Sequence, residues 1–121
     1  MATDNLNIDF KKKVISGQMR AMSFMEGDKY IQYIPSFNLS AYGSTPLEAR
    51  SMMMEVIGTF FQDIWDLNED EIISLIENAG YKRHKLFKRR YSNVAHIDKD
   101  GVLRNFDLPT ETEVKEELIA A

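Results

Sequence analysis

The chain has 121 residues, 44% of them hydrophobic and 28% charged, with a formal net charge of -4 and no cysteine. That length and balance describe one globular domain, 1–121, with a real core, and exclude a fibrous or wholly disordered chain. The absence of cysteine excludes disulfides, zinc thiolate sites and thiol nucleophiles, and no apolar run approaches the length of a membrane span.

Met1-Ala2-Thr3-Asp4-Asn5 lacks the basic-then-apolar layout of a secretory signal, so the cytoplasm is the expected location. Leu6, Ile8 and Phe10 then alternate with polar residues and predict a strand with one buried face, interrupted by Lys11, Lys12 and Lys13. From Gln18 to Met25 the extended pattern resumes. Met19, Ala21, Ser23 and Met25 fall on one face and Arg20, Met22 and Phe24 on the other. Glu26-Gly27-Asp28-Lys29 reads as a turn, and Tyr30 to Ile34 as the antiparallel partner. Pro35 cannot donate to a ladder and marks a strand end. A third short strand covers Leu39 to Tyr42, and Gly43, able to take a positive φ, breaks it. Thr45 is a good N-cap, Pro46 suits the first helical position, and Glu48 stands where a capping box closes.

From Pro46 to Leu67 a wide apolar stripe at helical spacing runs through Ala49, Met52, Met53, Val56, Ile57, Phe60, Phe61, Ile64 and Trp65. Burying half of those side chains is worth on the order of 10 kcal/mol before entropy, so this helix is expected to anchor the fold. Met52, Met53 and Met54 invite a ligand-groove reading, but core packing explains this spacing better. Asn68 to Glu71 repeats the helix-start chemistry, and Ile72, Ile73, Leu75, Ile76 and Ala79 carry a second amphipathic helix that Gly80 ends.

The block from Tyr30 to Ala49, with its strand, Pro35, second strand, Gly43-Ser44-Thr45 and Glu48-Ala49, resembles the HicB-like antitoxin family. That family has a small domain with an incomplete ribonuclease H-like fold. The likeness spans about Gln18 to Leu67, within a HicB-like unit over 5–67. It implies a non-catalytic protein that covers a small basic RNA-cleaving toxin of the HicA type.

After Gly80 the composition turns basic, with Lys82, Arg83, Lys85, Lys88, Arg89 and Arg90 accounting for six of the fifteen Lys and Arg. Because the run holds no acid, the rest of the chain carries nine basic and nineteen acidic residues. Tyr81, Phe87 and Tyr91 interleave with these cations. Lys and Arg neutralise phosphates and aromatic faces stack on bases, so Lys82 to Tyr91 is a candidate nucleic-acid or partner surface. The plainer reading is a sheet-edge strand with a solvated basic face and Leu86 or Phe87 tucked inward.

Val94 to Ile97 and Val102 to Phe106 flank Asp98-Lys99-Asp100-Gly101 as a predicted hairpin. Asp98 and Asp100 suggest the start of a calcium loop, but the later ligands are missing and a turn is the better reading. Thr110 and Glu113 then predict a terminal helix carrying Val114, Leu118 and Ile119. That tail resembles the strand and first helix of a ribbon-helix-helix unit, found in many HicB-like antitoxins, and no second helix follows before Ala121.

Metal-dependent nuclease chemistry would need converging carboxylates, for which Asp9, Glu48 and Glu55 are the candidates. Glu48 is better explained as a cap, and Glu55 as a solvent-facing helix residue. His84 and His96 have no partners suggesting a nucleophile or base. The expectation is therefore no catalysis, cofactor or metal. The predicted fold is α+β: an antiparallel sheet of three to five strands on one long helix, with a helix, basic strand, hairpin and terminal helix over 68–121. Cations at the expected strand edges, Lys11 to Lys13 and Lys82 to Arg90, discourage random pairing while leaving room for a specific homo-oligomer.

Overall fold

Alternating apolar residues between turn signals fold here into strands β1 (Asp4–Asp9), β2 (Val14–Glu26), β3 (Lys29–Ile34) and β4 (Leu39–Gly43). Helices α1 (Pro46–Ile64) and α2 (Glu69–Asn78) follow, then β5 (Tyr81–Arg83), β6 (Arg90–Asn93) and β7 (Lys115–Ala120). The computed structural model describes residues 4–93, 106 and 112–120. These elements form an α+β domain with one antiparallel sheet, ordered β4-β3-β2-β1-β6-β5, and β7 added against β2. With seven strands, the sheet is larger than the expected three to five.

Strand β2 is the spine. Its residues 14–18 pair with β1, 18–23 with β7, and 22–26 with β3. Both of its faces are buried in the middle, because alternation sends Met19 and Ala21 to one side and Met22 and Phe24 to the other. The main core joins Leu6, Ile8, Met19, Ala21, Ile34 and Ala41 to Met53, Ile57, Phe61 and Ile64 of α1, and to Ile72 and Ile76 of α2. On the reverse face Met22, Phe24 and Tyr33 form a smaller cluster, with Phe106 edge-on to the two rings at centroid distances of 5.0 and 5.1 Å.

The entry to α1 follows its sequence in the cap and the proline, while the box expected at Glu48 is half made, with the Glu48 backbone and not its side chain bonded. Thr45 caps it by accepting a hydrogen bond from the Glu48 N–H at 3.1 Å, and Pro46 occupies the first turn. Gly43 serves differently from expectation, since it does not use the left-handed region. A Cβ there would stand 2.6 Å from the Ala49 nitrogen, so close approach of the strand end to the helix start excludes a side chain. The helix ends at Ile64, and of the three consecutive methionines only Met53 is buried. Asn68 and Glu71 close a full capping box on α2, and Gly80, at φ 101°, lets the chain leave it.

Three expectations about the remainder are corrected. The predicted terminal helix is strand β7, despite good helix formers, because the backbone of β2 between Gln18 and Ser23 takes it as a ladder partner. Its carboxylates also find cations and amides there. Arg20 pairs with Glu116 at 3.3 Å, Gln32 donates to Glu117 at 2.7 Å, and Arg50 reaches Glu117 at 3.6 Å. The predicted single basic strand is two short strands, β5 and β6, joined by a turn. Lys11 to Lys13 form the β1–β2 turn and not a strand edge. The hairpin expected from Val94 onward, with its Asp98 to Gly101 turn, lies outside the described residues apart from Phe106, as do His96 and Thr110.

Candidate functional site

The basic run is a hairpin whose base is buried and whose tip is not. Tyr81 and Tyr91 point into the core, at 1% and 0% exposure, while β6 pairs with β1 through Leu6 and Tyr91. Tyr91 therefore belongs to the core and is removed from the candidate surface. Lys82, Arg83, Lys85, Lys88, Arg89 and Arg90 are all exposed. Leu86 and Phe87, expected to turn inward, stand out at 82% and 58% exposure. The inward positions of the two strands are taken by Tyr81, Tyr91 and Asn93, and all six residues between the strands are exposed.

The turn is held by its own polar groups. His84 N–H donates to the Arg90 carbonyl at 2.8 Å, and Arg90 N–H to the Phe87 carbonyl at 2.9 Å. Nδ1 of His84 accepts from the N–H groups of Leu86 and Phe87, each at 3.2 Å, and Nε of Arg83 donates to the Lys88 carbonyl at 2.7 Å. Around Phe87 two flat groups gather. The His84 ring lies 5.2 Å away, and the Arg90 guanidinium sits 5.2 Å from the Phe87 centroid. Arg83 similarly covers the outer side of the Tyr91 ring at 5.8 Å.

A second basic turn stands beside this one. Because β6 runs antiparallel to β1, the β5–β6 turn and the β1–β2 turn emerge at the same end of the sheet. Asp9 links them: its carboxylate accepts from the N–H groups of Lys11 and Lys12 at 3.1 Å and pairs with Arg89 at 3.3 Å, while Ile8 N–H donates to the Arg89 carbonyl at 2.8 Å. Those contacts, first the Lys12 N–H and then the Arg89 charge, hold the Asp9 carboxyl below its ordinary range. Three lysines and the five hairpin cations from Arg83 to Arg90 thus share one end of the sheet, while Lys82 lies further along β5, level with Asn5.

The nuclease candidates do not converge. Asp9 is engaged by the two basic turns, Glu48 lies in the first turn of α1, and Glu55 is exposed along that helix. Among the described residues no group of three or more His, Asp or Glu is placed to hold a metal ion. His84 acts as the acceptor that closes the basic turn. A buried polar set that sequence reasoning missed surrounds Asp4, which accepts from the Arg20 N–H at 3.0 Å. The Tyr81 hydroxyl lies 3.2 Å from Ser36 Oγ and 3.4 Å from Asp4 Oδ2. Burial raises the Asp4 carboxyl and the Tyr81 hydroxyl above their ordinary values, and contacts joining residues 4, 20, 36 and 81 leave no local signal in sequence. A groove of about 930 Å³ between the β2–β3 turn region, the start of α1 and β7 is lined by Phe24, Ile31, Leu47, Arg50, Glu113 and Lys115 among others.

No helix among the described residues is long and apolar enough to cross a membrane. No family model, curated protein or solved structure matches the chain.

Proposed function

We propose that this chain is a non-catalytic, HicB-like binding protein, antitoxin or antitoxin-derived, that works by covering a small basic protein of the HicA toxin type. The observation that supports this reading is the unit from β2 to α1: three antiparallel strands in a meander, Pro35 after the second, and a glycine-closed entry to a Thr45-capped helix. Charge supports the same partner. Between Ser51 and Tyr81 there are seven acids, Glu55, Asp63, Asp66, Glu69, Asp70, Glu71 and Glu77, all exposed, and no Lys or Arg. A helical side of that sign attracts a basic protein and speeds its docking. The β4 edge, which presents Ser40 and Tyr42 outward, suits pairing between copies in a homo-oligomer.

The test is affinity capture of the tagged protein from its own host at moderate salt, with its mass read by light scattering. Stoichiometric recovery of a small basic protein is expected, and replacing Asp66, Glu69 and Glu77 by Lys should release it. Recovery of the bare oligomer, with no toxin-like gene beside its own, would reject the reading.

A further inference from the structure

We propose that the β5–β6 tip, with the β1–β2 turn beside it, binds single-stranded nucleic acid, phosphates lying on the lysines and a base stacking on Phe87. Four observations carry this. The first is charge: eight cations, Lys11 to Lys13 and those from Arg83 to Arg90, stand toward one end of the sheet with Lys82 further along β5, and Asp9 is the acid the structure places between the two turns. A chain of net charge -4 that gathers its cations in this way creates a local positive field its overall charge conceals.

The second is the exposure of Leu86 and Phe87 in a domain that buries Phe24, Phe61, Tyr33, Tyr81 and Tyr91. Flat apolar groups set among cations match a ligand that alternates flat apolar faces with regular negative charge, as an unpaired nucleic-acid strand does. A duplex offers the charge but hides the faces. The third is preorganisation. Hydrogen bonds of Arg83, His84 and Arg90 fix the turn, and His84 and Arg90 flank Phe87, so the stacking platform exists before a ligand arrives.

The fourth decides against a lipid surface. The apolar tip is only Leu86 and Phe87, with Lys85 and Lys88 directly on either side. Two residues are too few to seat a loop in a bilayer, whereas stacking one or two bases needs no more. Arg83 and Arg89 are already engaged by the Lys88 carbonyl and Asp9, leaving Lys82, Lys85, Lys88 and Arg90 of the hairpin to meet phosphates.

Fluorescence anisotropy with a labelled oligouridine of about ten nucleotides tests this on the full chain, beside a duplex of the same length and vesicles rich in anionic lipid. Neutralising about four phosphates predicts a slope near about -2.8 in log affinity against log salt, or an affinity loss of about 50-fold from about 50 to about 200 mM salt. Phe87→Ala should weaken binding by about tenfold and leave the slope unchanged. Changing Lys82, Lys85 and Lys88 together to Gln should make the slope shallower by about two. All four side chains are exposed, so the variants keep the fold, and circular dichroism verifies it. Absence of oligouridine binding at low salt, equal affinity for the duplex, binding that survives both variants, or capture by vesicles without capture of oligouridine would each overturn the proposal. None of these outcomes bears on toxin binding, which uses the acidic helices.

Discussion

The β2–β4 meander under α1 and the β5–β6 hairpin are built from similar residues and treat them in opposite ways. In the meander one row of apolar side chains goes inward, with Met19, Ala21, Ile34, Ala41 and Met53 within 6% of complete burial, while Met25, Tyr42 and Leu47 stay at the surface singly. In the hairpin the inward sites belong to Tyr81 and Tyr91, and the purely apolar pair Leu86 and Phe87 goes outward among cations. The first arrangement serves folding. The second sets two adjacent exposed apolar side chains among cations, where they add nothing to the core.

Substitutions on the two sides should separate these roles. The largest effect is expected from Met53→Ala, which empties a fully buried site between α1 and the sheet and should cost about 3 kcal/mol in urea unfolding. A loss under about 1 kcal/mol would mean that α1 does not anchor the core.

Asp4→Asn should alter the pH dependence of stability. Burial raises the folded-state pKa of Asp4 above its ordinary 3.8, so the folded state holds the proton more tightly than the unfolded one. The stability this gives is complete below pH 3.8 and is lost as pH rises through the folded value. Relative to the Asn variant, the parent protein should therefore lose ground across that window in denaturant titrations. A gap that stays constant with pH would show that Asp4 is not desolvated.

Glu117→Ala removes the acceptor of Gln32 and the partner of Arg50, and should cost about 1 kcal/mol while raising hydrogen exchange in β7. Unchanged exchange would assign β7 to its backbone ladder and Ile119 alone. Least of all, Leu86→Ser and Phe87→Ser should move stability by no more than about 0.5 kcal/mol. A loss comparable to that of Met53→Ala would erase the contrast between the two regions and make the tip a structural element.

Elements whose cause is local were legible from the residues. Thr45-Pro46 and Asn68 to Glu71 start their helices as expected, because caps are satisfied within four residues of chain. Leu6 and Ile8 also gave the buried face of β1 by alternation alone. The terminal segment was misread because Val114, Leu118 and Ile119 fit a helical stripe as well as a strand, and the open backbone of β2 decided between them. At the candidate site the six cations were legible by composition. Their relation to Lys11 to Lys13 was not, since about seventy residues separate the two runs.

By itself the sequence determined the α+β class, the order of the meander and its helices, and the concentration of positive charge after Gly80. These follow from periodicity, caps and composition, which act over a few residues. Only the tertiary structure decided that the last strand joins β2, that Tyr91 is core and Phe87 surface, and that two basic turns meet across Asp9. Those outcomes depend on which backbone edges and inward slots remain once the sheet has assembled, a competition between segments distant in the chain that no local pattern records.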